Sequence, residues 1–494
     1  METRASRRRK LLLKEAVGDS EDRISTLPDA ILHHILSFLP VKSIAQTSLL
    51  STRWRYLWAS YPCLDFYEKT CRRQTNYKAM EFINAVLARR HANSNIKVFR
   101  FKGELGFTCL RDCIRRLVRH RVEELKMNVS FCGGFNLPRC VFDCDSLTSL
   151  SLKSHNPFGY SWFKLLRSSD TSGLRSLQAL TLKYVHFVNS DSAALFSGSS
   201  SFPALKRLTL KRCEGLNRLN IGCQGIEDLK VEWTVINVLD VSTGERLKNL
   251  GVKSSFRACK NESWVKIFAP KLETFCWEGN EIPEKYSVQS FPFLKNCSID
   301  ITGRYLFIVN AAINFLSGVV SARYLRIRTL HTGESFSTIY LEGGLPFPFL
   351  NLRTLEVHNG LRKSEIPGIV CLLKNAPLLD TLKLEFVHCD ECILTRRSDD
   401  KWGITLLDDS GFTEEQFWES EAQALRSFLN HLRVLKIYGM SESAIVATRF
   451  MLKHGNVLQE VTLISSKDQY EWEENYIIGF PWASPHIKIN LMSE

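Results

Sequence analysis

One short phrase recurs along most of this chain. It consists of an apolar residue, two variable residues, a second apolar residue, one variable residue and a third apolar residue. Copies of it begin at Ile96, Val122, Leu147, Leu177, Leu205, Ile226, Leu247, Leu272, Leu294, Ala322, Leu352, Leu379, Leu432 and Leu458. A phrase that returns roughly every 20 to 29 residues predicts a solenoid of stacked repeats. Each repeat contributes one strand to a parallel sheet on the concave face, and stacking buries a core that no single repeat could bury.

The alternation of side chains along a strand assigns the residues of the phrase to the two faces of this sheet. The apolar residues point into the core, so the variable residue between the last two, and the residue after the phrase, point outward. In the earlier repeats six of these outward positions are lysines, namely Lys126, Lys153, Lys183, Lys211, Lys230 and Lys253. In the later repeats they carry both charges, namely Glu278, Asp300, Arg326, Arg328, Glu356, Lys383, Glu385 and Lys436. We predict that the six lysines bind an acidic or phosphorylated segment of a partner protein; the alternative is that they only keep the sheet soluble.

A small helical module is predicted ahead of the repeats. Pro28 suits the first turn of a helix, with Ser25 or Thr26 as candidate caps, and Pro40 ends that helix. Ser51 is a candidate N-cap for a later helix. The apolar residues of the module are Ile31, Leu32, Ile35, Leu36, Phe38, Leu39, Ile44, Leu49, Leu50, Trp54, Leu57 and Trp58. Because about 40 residues cannot bury so many apolar side chains alone, the surplus predicts packing on the rest of the chain or on a partner.

Three segments of this module resemble the F-box. They are Leu27-Pro28-Asp29, Ile35-Leu36-Ser37-Phe38-Leu39-Pro40 and Leu49-Leu50-Ser51-Thr52-Arg53-Trp54-Arg55-Tyr56-Leu57-Trp58. The resemblance implies a three-helix module that binds the Skp-type adaptor of a Skp–cullin–F-box ubiquitin ligase. The adaptor contacts that it implies are Leu27, Pro28, Ile31, Ile35, Leu36, Leu39, Pro40, Leu50, Ser51, Trp54 and Trp58. Leu32 and Phe38 are expected to be internal to the module.

The repeats resemble those of plant-type F-box proteins with leucine-rich repeats. The clearest copy runs from Leu205 to Cys213, with Cys213 where the family has Asn or Cys. We expect small side chains at this position to hydrogen-bond the backbone of the turn; in other copies they are Ser130, Thr234, Ser255 and Ser466. The segment 431–464 resembles the FBD region that ends many such proteins, with Glu442 as the candidate acidic residue and Gly439 as its lone glycine. We expect this segment to cap the array.

These features predict an α/β chain with six parts. We place a basic disordered tail at 1–20, the F-box at 21–62, a connecting helix at 63–94, the leucine-rich-repeat solenoid at 95–405, an acidic insertion at 406–424 and the FBD-like cap at 425–494. The insertion carries Asp408, Asp409, Glu414, Glu415, Glu419 and Glu421 around three aromatic residues. A solvated loop is its simplest interpretation. A second hypothesis is that it lies across the six lysines and competes with their partner.

Composition bounds the class of protein. The chain has 494 residues, of which 44% are hydrophobic, so it can bury a large core. Its net charge is +13, which suits an acidic partner surface. Fifteen scattered cysteines, without a secretion signal or an apolar stretch of membrane-spanning length, predict reduced thiols in the nucleus or cytoplasm and no membrane association. The basic run Arg7-Arg8-Arg9-Lys10 is either a nuclear-import patch or a solvated tail.

Catalytic and metal signals are weak. The pair Cys389 and Cys392, preceded by His388, lacks a second pair at zinc spacing, so core thiols are the preferred interpretation. The phosphate-binding loop, the nucleophile elbow and the zinc-protease helix motif are all missing from the sequence. We therefore predict no catalytic residue, no metal and no cofactor.

Together these observations predict a non-catalytic receptor subunit. The F-box would bind the adaptor, and through it the cullin and RING subunits, while the solenoid would bind an unidentified client protein, acidic or phosphorylated. Two alternatives remain open at this point: a basic repeat scaffold associated with nucleic acid, and a scaffold acting outside the ligase. The sequence disfavours nucleic acid because aromatic residues do not alternate with the six lysines.

Overall fold

The structure is a computed structural model of the 494-residue chain. It describes residues 24, 26–67, 76–91, 93–131, 133–154, 161–165, 174–187, 196–197, 202–257, 263–283, 285–301, 309–328, 334–359, 365–386, 413–439, 442–465 and 482–493. The chain divides into two compact units, each described here by itself. The first consists of Met1–Gly133, Pro138–Leu150 and His155–Ser161, and the second of Gly134–Leu137, Ser151–Ser154 and Trp162–Glu494. The basic run at 7–10, Ser25, the Cys389 and Cys392 pair, and Ser466 lie outside the described residues.

Short helices open the first unit. They are α1 (Asp29–Leu36), α2 (Val41–Gln46), a 3₁₀ turn (Thr47–Leu49) and α3 (Thr52–Ser60). Pro28, rather than Ser25 or Thr26, occupies the N-cap position of α1, and it offers no side-chain cap. Ser51 is confirmed as the N-cap of α3, since its hydroxyl accepts from the backbone N–H of Trp54 at 3.4 Å.

The remainder of the first unit already belongs to the sheet. Its elements are β1 (Cys63–Phe66), α4 (Asn76–Ala88), β2 (Val98–Glu104), α5 (Phe107–Arg119) and β3 (Glu124–Ser130). Strand β1 pairs in parallel with β2, and β2 pairs with β3. The segment predicted as a connecting helix at 63–94 therefore contains a strand before its helix. The sequence analysis missed β1 because it lacks the full repeat phrase.

Short strands occur where the two units meet in sequence and in the first part of the second unit. They are β4 (Gly133–Asn136), β5 (Ser149–Ser154), β6 (Ser161–Leu165), β7 (Ala179–Lys183), β8 (Val185–Phe187), β9 (Arg207–Lys211), β10 (Arg218–Asn220), β11 (Asp228–Glu232), β12 (Val238–Val241), β13 (Asn249–Lys253), β14 (Trp264–Ile267), β15 (Thr274–Asn280), β16 (Lys285–Val288) and β17 (Asn296–Ile301). In the second unit, the odd-numbered strands from β7 pair in parallel in chain order. Strands β10, β12, β14 and β16 form a separate 4-stranded parallel sheet. The returning segments of these repeats are thus short strands.

The later repeats alternate strands with helices. These elements are α6 (Val309–Ser317), β18 (Tyr324–Arg328), α7 (Glu334–Leu341), β19 (Thr354–Asn359), α8 (Ile366–Lys374), β20 (Thr381–Phe386), α9 (Glu414–Ser420), α10 (Arg426–Leu429), β21 (Val434–Tyr438), α11 (Glu442–His454), β22 (Glu460–Ser465) and β23 (Lys488–Ser493). Strands β17 to β23 continue the main sheet in parallel. The described helices lack the combination of length and apolar character needed to cross a bilayer.

The inward face of the main sheet forms the core of the second unit. One residue of each phrase lies in register with its equivalent on the next strand, and each is at most 2% exposed: Leu180, Leu208, Leu229, Leu250, Phe275, Cys297, Leu325, Leu355, Leu382, Leu435 and Val461. This row confirms the assignment of apolar residues to the interior. Burial of this kind, at about 25 cal/mol per Å² of apolar surface, is what holds stacked repeats together.

The acidic insertion is not a solvated loop over its described part, 413–424. Helix α9 begins with a capping box in which Thr413 and Gln416 each bond the other's backbone. Trp418 is 1% exposed and its ring lies 5.1 Å from that of Phe450 on α11. The buried tryptophan overrides the charge pattern, since indole burial outweighs the exposure that acidic residues favour. The sequence-based loop prediction was therefore wrong here, while Asp408 and Asp409 lie outside the described residues.

The carboxylates of this segment pair with the helical layer. The Glu421 carboxylate accepts a hydrogen bond from the Tyr340 hydroxyl at 2.6 Å and forms an ion pair with the Lys374 ammonium at 2.5 Å. Glu419 pairs with Lys453 at 2.8 Å and with His454. These partners lie on helices, not on the outward face of the sheet. The hypothesis that this segment covers the six lysines is therefore wrong for its described part.

Candidate functional site

The first three helices bury a small core of their own. Leu32 and Leu36, four residues apart on α1, face inward with Leu57 and Trp58 of α3. Polar contacts join the same helices: the Arg53 guanidinium donates to the Leu27 carbonyl oxygen at 2.5 Å. Leu32 is internal as expected. Leu36 and Trp58 were predicted to contact the adaptor. The structure corrects this prediction, because their side chains are 1% and 6% exposed and offer no area to a partner.

Several large apolar side chains of this module remain in solvent. Leu49 is 86% and Leu50 67% exposed, and Phe38 is 76% exposed although it was expected to be internal. Phe38 follows the end of α1, so the helical spacing used to place it inward does not reach it. The other exposed apolar residues of the module are Ile24, Ile31, Ile35, Leu39 and Tyr56. Exposed apolar side chains in such density mark a docking surface.

Most of the predicted adaptor contacts lie on this surface. Pro28, Ile31, Ile35, Leu39, Pro40, Leu50 and Ser51 are exposed. Leu27 and Trp54 are half-buried, so the Trp54 ring can be covered further by a partner. Leu49 was not among the predicted surface residues. The feature that could have indicated its exposure is the Leu49-Leu50 pair directly before the Ser51 cap, where no helical turn is available to bury both side chains. We name the set Ile31, Ile35, Phe38, Leu39, Leu49 and Leu50 the F-box apolar surface.

The second candidate surface is the outward face of the main sheet in the second unit. Register pairs Lys183 with Lys211, Lys211 with Glu232, and Glu232 with Lys253 on successive strands. The Lys211 ammonium lies 2.6 Å from the Glu232 carboxylate. The Lys253 ammonium lies 2.7 Å from the carboxylate of Glu278. Two of the predicted client-binding lysines are thus neutralised by neighbouring strands, which corrects the expected uniform basic surface.

The remaining predicted lysines have different surroundings. Lys126, on β3 of the first unit, is exposed and its ammonium lies 4.7 Å from the centroid of the Tyr67 ring. Lys230 is exposed between Thr209 and Gly251 of the adjacent strands. Lys153 and Lys183 are half-buried. Only the lysines at these positions were predicted to define the charge of this face. Glu232 was not included, although the strand alternation places it on the same face.

The Lys253–Glu278 pair is electrostatically strong. Burial raises the pKa of the Glu278 carboxyl, but hydrogen bonds from Lys253 and from the Ser298 hydroxyl, 2.6 Å away, outweigh that effect and hold the pKa at about 2. The hydrogen bond to Glu278 also raises the pKa of Lys253. Both groups are therefore charged at neutral pH, and this part of the surface presents a paired charge rather than a free cation.

A cluster of three potential metal ligands lies on the outward face of β19 and β20. Ligand atoms of Glu356, His358 and Glu385 all come within 4.8 Å of one another. The same Glu356 carboxylate also contacts the Arg326 guanidinium at 3.2 Å and the Lys383 ammonium at 3.5 Å. These two cations already balance the negative charge that a metal ion would need, so the cluster fits a charge network of the sheet better than a metal centre.

A buried ladder of small polar side chains lies in the turns that follow strands of the main sheet. The backbone N–H of Cys213 donates to the Thr234 hydroxyl at 3.1 Å, and the N–H of Thr234 donates to the Ser255 hydroxyl at 3.1 Å. The N–H groups of Ser255 and Phe256 both donate to the Asn280 side-chain oxygen, at 2.7 and 2.8 Å. The expected role of Thr234 and Ser255 in bonding the turn backbone is confirmed. Asn280, the ladder's one Asn, was missed because a register irregularity precedes it.

The buried thiols of Cys113 and Cys213 are unsuited to nucleophilic catalysis. Every cysteine in the described part of the chain is free. Burial raises the pKa of Cys113 to about 12 and that of Cys213 to about 11. A raised pKa keeps the thiol protonated, whereas a nucleophile needs a thiolate. These cysteines act as small core residues.

Comparison with known proteins finds matches for the F-box and for the repeats. The F-box domain model matches residues 24–65, and the model described as "FBD-associated F-box protein At5g56370, LRR repeats" matches residues 110–287. The F-box/FBD/LRR-repeat protein At4g03220 of Arabidopsis thaliana is 32% identical over 99% of this chain and 100% of its own length. The F-box/FBD/LRR-repeat protein At5g56420 is 34% identical over 40% of this chain and 45% of its own length. The F-box/LRR-repeat protein At5g02910 is 26% identical over 84% of this chain and 82% of its own length. Both are also from Arabidopsis thaliana.

These matches classify the chain. F-box domains generally bind Skp-type adaptors, and F-box proteins with leucine-rich repeats are typically adaptors without catalytic activity. The match to At4g03220 covers the whole length of that protein, whose name gives an F-box, an FBD region and leucine-rich repeats. The expected β21, α11 and β22 of the FBD-like segment are present, with Gly439 at the turn between them and its N–H donating to Ile464. This chain belongs to the family of F-box/FBD/LRR-repeat proteins.

Proposed function

We propose that this chain is the substrate-recognition subunit of a Skp–cullin–F-box ubiquitin ligase. In this role the F-box apolar surface binds the Skp-type adaptor, which connects the chain to the cullin and RING subunits. The repeats bind a client protein. The chain itself makes and breaks no bond, and it accelerates ubiquitin transfer by raising the effective concentration of a client lysine near the charged conjugating enzyme.

The observation that carries this proposal is the F-box apolar surface. Leu49 and Leu50, 86% and 67% exposed, are too apolar to remain in water unless a partner covers them. Trp54 beside them is half-buried, and aromatic anchors of this kind typically cost about 2 kcal/mol or more of binding when truncated. An adaptor with a matching apolar groove would remove this surface from water.

A pull-down of the co-expressed adaptor tests the proposal. We expect Leu39→Asp combined with Leu50→Asp to abolish adaptor binding, because two carboxylates would be buried unpaired in an apolar interface. Phe293→Asp is the matched control, since Phe293 is 63% exposed in the second unit. The circular dichroism melting curve should be the same for all three proteins. Undiminished adaptor binding by the double variant would overturn the proposal.

A nucleic-acid scaffold is the weaker alternative. Its support was the row of lysines, and Glu232 and Glu278 interrupt that row with paired carboxylates. A phosphate backbone needs unopposed cations at regular spacing. A gel mobility-shift assay on nonspecific DNA at moderate salt should accordingly show no complex.

The proposed residence is the nucleus, the cytoplasm or both. It rests on the basic run Arg7-Arg8-Arg9-Lys10 and on cysteine usage. A fluorescent fusion with these four residues replaced by alanine tests the import patch: loss of a nuclear signal is expected, and an unchanged distribution would assign the run to a solvated tail.

A further inference from the structure

Several residues with a strained backbone directly follow strands of the main sheet in the second unit. Tyr184, Arg212, Trp233 and Ser254 each come directly after a strand, and their φ angles are +56°, +50°, +54° and +47°. This left-handed conformation favours glycine, which stands at the equivalent place on the next strand as Gly279, with φ +63°. Bulky side chains in this conformation persist only where the surroundings hold them, and they cluster at functional sites.

The backbone of this row is held by hydrogen bonds on both sides. The N–H of Tyr184 donates to the Lys211 carbonyl at 3.0 Å, and that of Arg212 to the Glu232 carbonyl at 2.8 Å. The N–H of Trp233 donates to Lys253 at 2.8 Å. The residues that follow belong to the buried ladder of Cys213, Thr234 and Ser255. The three side chains are therefore presented in a fixed order before any partner arrives.

These side chains form a sandwich around one cation. The Arg212 guanidinium carbon lies 5.6 Å from the centroid of the Tyr184 ring and 5.7 Å from that of the Trp233 ring. Arg212 is exposed, and Trp233 is 55% exposed. The rings hold the guanidinium plane by cation–π attraction and leave its N–H edge available. Val235, two residues beyond Trp233, adds exposed apolar area.

The charge of Arg212 is not balanced as the nearby charges are. Lys211 and Lys253 each pair with a carboxylate. Over the part of the chain that the structure describes, no carboxylate lies within 4.0 Å of the Arg212 guanidinium or of the Lys183 ammonium. Lys183 and Arg212 lie on adjacent strands, because Lys183 is in register with Lys211. Arg212, one of these two cations without an acidic partner, thus lies beside an exposed indole.

We propose that Tyr184, Arg212 and Trp233 form a recognition site for a side-chain carboxylate in an acidic segment of the client. This inference rests on the proposed function and names the chemistry of its client. The planar guanidinium fork matches a carboxylate with two parallel hydrogen bonds, and Lys183 adds a second positive charge. The indole of Trp233 covers the apolar neighbours of that carboxylate. The Glu232 carboxylate, which lies on the adjacent strand and is paired with Lys211, reduces the net positive charge near the site and so favours a singly charged carboxylate over a dianionic phosphate.

Binding of fluorescein-labelled peptide pools to the purified full chain tests this site. Each pool has the form Gly-Xaa-Xaa-Z-Xaa-Xaa-Gly, where Z is Glu, Gln or phosphoserine. Fluorescence anisotropy should show at least tenfold tighter binding of the Glu pool than of the Gln pool. Preference for the phosphoserine pool over the Glu pool would overturn the assignment to a carboxylate, and equal or undetectable binding of all pools would overturn the site itself.

Three variants separate recognition from folding. Arg212→Lys keeps the charge but loses the fork, and Trp233→Gly removes the ring while relieving the backbone; each should weaken binding of the Glu pool at least fivefold. Trp233→Gly should melt at the same temperature as the parent or higher, because glycine tolerates the positive φ. Ser254→Gly is the matched control in the same row and should bind as the parent does.

The outcomes also separate this inference from the proposed function. Unchanged binding by Arg212→Lys or Trp233→Gly would overturn the site even if the adaptor pull-down succeeds. Undiminished adaptor binding by the variant with Leu39→Asp and Leu50→Asp, together with an intact Glu preference, would leave the site standing and remove the ligase role.

Discussion

The F-box module and the repeat sheet use the same kinds of apolar residue in opposite ways. In the sheet, the inward row from Leu180 to Val461 is at most 2% exposed. In the module, Leu49 and Leu50 are mostly in water. A repeat covers its apolar face with the next repeat, whereas three short helices have no neighbour of their own kind. The inward apolar residues of the sheet therefore contribute to stability, whereas the exposed apolar residues of the module are available to a partner.

The charged residues of the sheet differ from its apolar residues in that they lie on the outward face, where a partner can reach them. On the outward sheet face, charges are largely matched between adjacent strands, as in Lys211 with Glu232 and Lys253 with Glu278. Cations without a matching carboxylate, among them Arg212 and Lys183, are where specificity for a client can reside. The comparison thus predicts that substitutions in the two regions separate stability from binding.

The largest expected effect is in the inward row. Leu250→Ala should lower the free energy of unfolding by about 3 to 4 kcal/mol, since it removes a side chain that is 1% exposed and leaves a cavity. Urea-induced unfolding, followed by the fluorescence of the chain's ten tryptophans, measures it. Adaptor binding of the folded protein should not change. A loss below about 1 kcal/mol would contradict the inward assignment.

A somewhat smaller effect is expected in the buried ladder. Asn280→Ala leaves the N–H groups of Ser255 and Phe256 without their acceptor, which should cost about 2 to 3 kcal/mol in the same urea experiment. Asn249→Ala, on the outward face of β13, is the control and should cost under about 1 kcal/mol. Equal losses for the two variants would mean that the ladder does not hold the turns.

The outward ion pair predicts a pH dependence. The folded pKa of Glu278, about 2, is below its ordinary value of 4.5, so its contribution is complete above pH 4.5 and is lost as the pH falls towards 2. Because a fifth of the Glu278 side chain is in water, we expect the pair to contribute about 1 kcal/mol to the free energy of unfolding. Urea midpoints between pH 5 and pH 2 should fall less steeply for Glu278→Gln than for the parent. Parallel curves would show that the pair contributes nothing.

The smallest effect on stability is expected in the module. Leu39→Ala should change the free energy of unfolding by less than about 0.5 kcal/mol, because Leu39 is already 41% exposed. Its adaptor affinity should nevertheless fall by at least tenfold in a titration with purified adaptor. A loss of stability comparable to that of Leu250→Ala would place Leu39 in the core and remove the contrast between the two regions.

Much of the fold followed from local pattern. The repeat phrase placed Leu205 and Leu208 inside, and strand alternation placed Lys211 outside, because period-two geometry leaves no other choice. The Ser51 cap followed from the chemistry of a hydroxyl before a helix. The pattern failed where a single long-range contact decides: burial of Trp418 against Phe450 turned a charged segment into a packed helix.

The sequence by itself determined the repeat architecture, the F-box and the family, since each depends on residue types at fixed short spacings. Tertiary structure alone decided which of the candidate residues remain available. It buried Leu36 and Trp58, exposed Phe38, paired Lys211 and Lys253 with carboxylates from neighbouring strands, and set Arg212 between two rings. The physical reason is that exposure and charge pairing depend on contacts between residues distant in sequence, which spacing along one chain does not specify.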